Sequence, residues 1–325
     1  LDGRAARESF VETWKQVFLA GDFARIEKKA AEYRKNQSRF ADGNWALPRL
    51  YSGVTTHDEG STAETWKNHF RLLDEWDRQF PNSETAQLAR AQTLAVNAWE
   101  IDHPDDPIPN PLPTGESNAG EMAALLKLAI RGTMKLASQT NTSLREAAAI
   151  LKKREWDDPE AWRIWQIGDW KDAPRRQEQV FQEGTERFPG FIQFYTERAK
   201  QLARAENGPD SWEDFAARVR TENREEGREL YARIVWVMNT EFYSRNVFQQ
   251  SKANWEWTRE GFDDMLKRYP ESRWLLNSFA RLCWYANDRA TARRLTPLIG
   301  NQPDMSVWYG EGYYEDFVFW SRQED

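Results

Sequence analysis

The chain has 325 residues, 40% of them hydrophobic and 14% aromatic, with 17 tryptophans, which supplies a packed core and excludes a disordered chain. Lys and Arg number 45 against 52 Asp and Glu, so the net charge is −7, and a general affinity for nucleic acid or anionic lipid is not expected. A single cysteine, Cys283, and three histidines, His57, His69 and His103, leave no disulfide framework and no Cys-based zinc site.

Taken in chain order, apolar residues first recur at helical spacing in Phe10, Trp14, Val17 and Phe18. Gly21-Asp22-Phe23 then sets a residue tolerant of positive φ beside an aspartate that caps a second helix. No Asp-Gly or Asn-Gly pair is flanked by convincingly alternating residues, Asp42-Gly43 included, so strand signals are nearly absent. Ser61-Thr62-Ala63-Glu64 starts a helix that Arg78-Gln79-Phe80-Pro81 stops: a basic residue suits the helix C-terminus, and proline blocks continuation.

Asp102-His103-Pro104-Asp105-Asp106 gathers carboxylates and an imidazole but lacks the glycine turn and the distal glutamate of a calcium loop, so it reads as a solvated acidic loop. Pro104, Pro107, Pro109, Pro111 and Pro113 follow at a spacing no helix survives. Residues 104–118 are therefore expected to form a loop or linker between an N-terminal helical section, 1–103, and a C-terminal helical repeat array, 119–325. Helical spacing resumes at Ala123, Leu126 and Ile130, where Lys127 and Arg131 rule out a membrane span.

Further starts are Ser143-Leu144-Arg145-Glu146, Asp158-Pro159-Glu160 and Ser211-Trp212-Glu213-Asp214. Further stops are Arg187-Phe188-Pro189-Gly190 and Arg268-Tyr269-Pro270, and further tight turns are Gly168-Asp169-Trp170 and Asn287-Asp288-Arg289. Helix, tight turn, helix and aromatic-proline break form the implied unit.

The clearest unit is 273–300, with Ala280 and Ala292 as the small residues that let paired helices approach. It resembles a tetratricopeptide repeat, which implies an all-α fold, an α-solenoid of antiparallel helix pairs in a degenerate array. Over most of its length the chain also resembles the bacterial domain-of-unknown-function 4034 family. That resemblance rests on Gly21-Asp22-Phe23 with Tyr33-Arg34, Asp42-Gly43-Asn44-Trp45, Ala98-Trp99-Glu100, residues 195–199 and 208–215, Tyr231-Ala232-Arg233 and residues 269–279. It implies a helical-repeat fold and no known reaction. The first residue, Leu1, reads as a trimmed terminus, and the compartment stays open between bacterial cytoplasm and periplasm.

No motif for phosphate loops or nucleophile elbows is present, and Cys283, between Leu282 and Trp284, reads as a small core residue. No catalytic residue, metal site or cofactor is expected. Trp14, Trp76, Trp99 and Trp162 read as inter-helix core, and His69 as a packed helix residue. Trp274, Asn277, Arg281 and Trp284 share one helical stripe and, by the repeat resemblance, take the ligand-facing positions, where Asn and Arg hold a peptide and the indoles pack on its side chains. The competing reading has Trp308, Tyr309, Tyr313, Tyr314, Phe317 and Trp320 cover that stripe as a terminal cap.

The expected function is a non-catalytic scaffold or adaptor for a protein or peptide, without nucleic acid. The alternative is a carbohydrate-active hydrolase with paired carboxylates near Trp212-Glu213-Asp214 and Trp255-Glu256-Trp257.

Overall fold

The computed structural model describes residues 2–55, 62–102, 156–168, 174–204, 211–223, 226–243, 246–308 and 310–323. Among them the protein is all-α, with sixteen helices and no β-strand. The helices are α1 (Gly3–Leu19), α2 (Phe23–Asn36), α3 (Leu47–Thr55), α4 (Ala63–Gln79), α5 (Glu84–Asp102), α6 (Pro159–Gly168), α7 (Pro174–Arg187) and α8 (Ile192–Arg204). They continue as α9 (Trp212–Glu222), α10 (Gly227–Glu241), α11 (Val247–Gln250), α12 (Trp255–Arg268), α13 (Arg273–Tyr285), α14 (Arg289–Ile299), α15 (Met305–Trp308) and α16 (Glu311–Arg322).

The ends of these helices follow from short-range chemistry. Gly21 takes φ +73°, and the Asp22 carboxylate accepts from Arg25 N at 3.2 Å to start α2. Thr62, one residue beyond Ser61, caps α4 in a reciprocal box with Thr65. Ser211 Oγ accepts from Asp214 N at 3.1 Å, and Asp288 from Thr291 N at 2.9 Å after Asn287 has turned to φ +56°. Phe80 and Tyr269 are the C-caps of α4 and α12, each directly before a proline. The 104–118 stretch, the 143–146 start and most of the Gly168-Asp169-Trp170 turn lie outside the described residues.

The chain gathers into two compact units, each assembled from separate stretches. The first comprises Glu8–Ser38 and Trp45–Glu197. Here α2 packs on α3, α3 and α4 on α5, and α6 on α7. Phe23 lies parallel to Trp76, ring centroids 5.4 Å apart, while the buried His69 ring sits 4.5 Å from Phe18 and its Nε2 is 3.3 Å from Thr93 Oγ1. His69 is thus a packed helix residue, and Trp14, Trp76 and Trp162 are buried.

The second unit comprises Leu1–Arg7, Arg39–Asn44 and Arg198–Asp325. Its helices pack on their neighbours in sequence: α9 on α10, α10 on α12, α12 on α13, α13 on α14, and α14 on α16. Gly261 makes the α10–α12 approach possible, because a methyl added there would lie 2.6 Å from Ala232 Cβ. Ala280 and Ala292 are fully buried in the α13–α14 pair. Cys283 is buried in the same core, and burial pushes its thiol pKa well above the usual cysteine range.

Candidate functional site

The stripe expected to face a ligand is assembled on α13 as the helical spacing requires, but it is covered. Asn277 is fully buried: its Oδ1 accepts from Trp308 Nε1 at 2.6 Å and its Nδ2 donates to Arg273 O at 2.8 Å. Arg281 donates from Nη1 to Val307 O at 2.6 Å and from Nε to Tyr285 Oη at 2.8 Å. Trp274 packs edge-on against Trp236 at 5.5 Å, with the Arg7 guanidinium 5.2 Å from its ring centroid, and half-buried Trp284 lies 6.2 Å from Phe317.

The short helix α15 therefore takes up the polar groups of the stripe, so in this structure the stripe is an internal contact rather than an open ligand surface. The physical reason is that an amide and a guanidinium beside an apolar helix face must be hydrogen-bonded once covered, and the chain supplies the partners itself. Trp308, Tyr314 and Phe317 are the buried covering residues, whereas Tyr313 is 43% exposed.

The tryptophans expected of a sugar platform are likewise tied to the fold. Trp212 Nε1 donates to Tyr243 Oη at 2.7 Å, Trp255 Nε1 to the Asp288 carboxylate at 3.0 Å, and the Arg220 guanidinium lies 4.8 Å from the Trp257 ring centroid. Glu256 is exposed and pairs with Arg259 one turn on.

Among the described residues there are two largely buried ionic networks and the buried Lys200–Glu241 pair, at 2.6 Å. In the second unit, Asp42 pairs with Arg7 at 2.5 Å and accepts from both nitrogens of Asn44, while Arg233 Nη2 donates to the Asp42 carbonyl at 2.6 Å. Burial lowers the pKa of the Arg233 guanidinium against the opposing pull of Asp42, Glu229 and Tyr269. Arg268 bridges Glu226 and Glu229, each at 3.1 Å. Gly43 fits only as glycine: it holds φ +82°, and an added Cβ would sit 2.6 Å from Arg233 Nη2 and 2.7 Å from Tyr269 Cε2. The sequence marks these segments as a hairpin-type Asp-Gly pair and a helix stop, and the glycine between two polar residues at 42–44 is the local signal of the network.

In the first unit, Asp158 accepts from Arg34 Nε at 2.8 Å, Tyr51 Oη at 2.5 Å and Glu160 N at 2.9 Å, and Glu160 pairs with Arg163 at 2.8 Å. Burial raises the Glu160 carboxyl pKa, Arg163 pulls it back, and Asp158 and Glu197 add to the rise. Each carboxylate is held by its own arginine, as a structural network requires.

Among the described residues, an open groove of about 940 Å³ is lined by the end of α14, the 300–303 segment, Met305 and α16. Pro297, Met305, Val318 and Phe319 give it apolar walls, Arg293 and Arg322 line it near the end of α16, and Glu315 lies two turns away. Its floor is fixed by the chain: Tyr314 Oη donates to Gly300 O at 2.8 Å, and Arg293 donates to Ser321 O at 3.1 Å and Gln323 O at 2.6 Å. These contacts run α14 and α16 antiparallel. Phe319, one of the lining residues, is 69% exposed.

Among the described residues there is no cluster of three metal-ligating side chains, and no helix is long and apolar enough to cross a membrane. Set against protein-family models, curated proteins and solved structures, the chain finds no match in any of the three.

Proposed function

We propose that this chain is a non-catalytic scaffold, an α-solenoid of tetratricopeptide-like helix pairs within the domain-of-unknown-function 4034 group, that binds a protein partner at the α14–α16 groove. The observation that carries the reading is the exposure of Phe319 beside that groove. Phe319 stands 69% exposed in the lining of an open groove, where a partner's apolar side chain would cover it. The Trp274, Asn277, Arg281 and Trp284 stripe then supports the groove from within rather than touching the partner.

The reading is tested by affinity capture with the wild-type protein and with F319D, using L19D as the control, since Leu19 is also exposed but lies in the other unit. Wild type and L19D are expected to retain the same discrete partner and F319D to lose it at least tenfold. Retention by all three contradicts the proposal.

A further inference from the structure

We infer that the protein seated on this groove is a second copy of the same chain, docked across a two-fold axis that runs the two α16 helices antiparallel, so that Glu315 of each copy meets Arg322 of the other. The inference rests on the scaffold reading, with its partner at this groove, and names that partner.

The groove face carries charge of both signs, and the signs are kept apart along α16. Glu315, a lining residue, and Asp316 beside it are exposed in the first half of the helix. Arg322 lines the groove in the last turn, where Arg293 adds a second cation through its bonds to the carbonyls of Ser321 and Gln323. Two acids at one end against two cations at the other leave these four groups without net charge but with a gradient along the helix. A partner surface of one sign loses at one end of such a face what it gains at the other. The surface that matches both ends has the same order reversed, and a second copy presents that order whenever the two α16 helices run antiparallel.

The apolar residues stand where the axis must pass. Glu315 and Arg322 are seven residues apart on one face of α16, about 10 Å along its axis, and their midpoint falls between Val318 and Phe319. Both of these line the groove, and Phe319 is the residue left 69% exposed. A two-fold axis through that midpoint sets the exposed ring of each copy against the open groove of the other, with Pro297 and Met305 as further apolar wall. The two ion pairs then flank an apolar centre, which is the usual arrangement of a protein interface. A knob and a cleft on one face thus satisfy each other in an isologous pair.

The helix that carries the face is held before docking. Tyr314 Oη donates to Gly300 O, Phe317 is fully buried and Ser321 is 1% exposed, so α16 offers its outer side without rearrangement. Fourteen lining residues are fewer than the roughly 20–30 a side of a standard interface, which sets the expected dimer at a Kd on the order of 10–100 µM.

The test is sedimentation velocity of the purified chain at low salt over concentrations up to about 1 mM, with the fold of each variant checked by circular dichroism. Wild type is expected to pass from monomer to dimer, and F319D to stay monomeric. E315K and R322E, each alone, set like charges together twice per dimer and are expected to weaken self-association about tenfold. Mixed in equal amounts, they pair opposite charges at both positions again: the introduced lysine of one faces the introduced glutamate of the other, and a native Glu–Arg pair re-forms beside it. The mixture is expected to associate within about twofold of wild type, a rescue that a merely structural loss in either variant would not show.

A wild type that stays monomeric throughout overturns the inference and leaves the scaffold reading to the capture experiment, where a different protein lost from F319D still supports that reading. A dimer that survives F319D has its interface elsewhere and overturns the inference as well. So does a mixture of E315K and R322E that associates no better than either variant alone, because Glu315 and Arg322 then do not meet across the axis.

Discussion

Trp308 Nε1 donates to Asn277 Oδ1 at 2.6 Å, with both side chains buried. This bond ties α15 to α13 and closes the stripe. W308F removes the donor and leaves a buried acceptor unsatisfied, at an expected cost of about 1–3 kcal/mol. Urea unfolding followed by circular dichroism measures it; an unchanged midpoint would show that α15 does not hold the stripe closed.

Gly43 and Gly21 both sit at positive φ, but only Gly43 has neighbours where a Cβ would go. G21A is expected to cost about 1 kcal/mol in backbone strain, and G43A more than twice that, because Arg233 and Tyr269 must also shift. Thermal unfolding of the two variants gives the order directly, and equal losses would refute the packing argument.

Cys283 lies in the core of the second unit with its thiol pKa pushed up, so the nucleophilic thiolate is both scarce and inaccessible. In the native protein it is expected to resist iodoacetamide, reacting only at the rate at which that core opens. Fast labelling without denaturant, measured by mass spectrometry, would contradict this.

Glu160 carries a pH signature. Its folded-state pKa is raised above the usual value of 4.5, so the folded protein holds the proton more tightly than the unfolded chain. Its contribution to stability is therefore greatest below the unfolded value and falls as pH rises through the folded one. E160Q lacks this dependence, so its stability relative to wild type should improve as pH goes from 4 to 7. Parallel curves of urea midpoint against pH would refute the raised value.

Helix ends were legible because they depend on a few adjacent residues: Asp22, Ser211 and Asp288 each cap the helix that follows. The all-α class was legible from spacing for the same reason. Whether the α13 stripe was open was not, because helical spacing shows which residues share a face but not what covers it. Here the cover, Val307 and Trp308, lies 26 residues from Arg281 and 31 from Asn277.

The Asp42–Arg233 contact spans 191 residues, and no local pattern encodes such a pairing. The groove has no local sequence signature: in α16, Tyr314 and Phe317 keep the buried register, while Phe319 stands outside it.

The most direct measurement is site-specific photocrosslinking in the cell of origin, with benzoylphenylalanine in place of Phe319 and, separately, Leu19. The account predicts a discrete adduct to one partner from position 319 and none from position 19. No adduct from 319, or the same adducts from both positions, would contradict it.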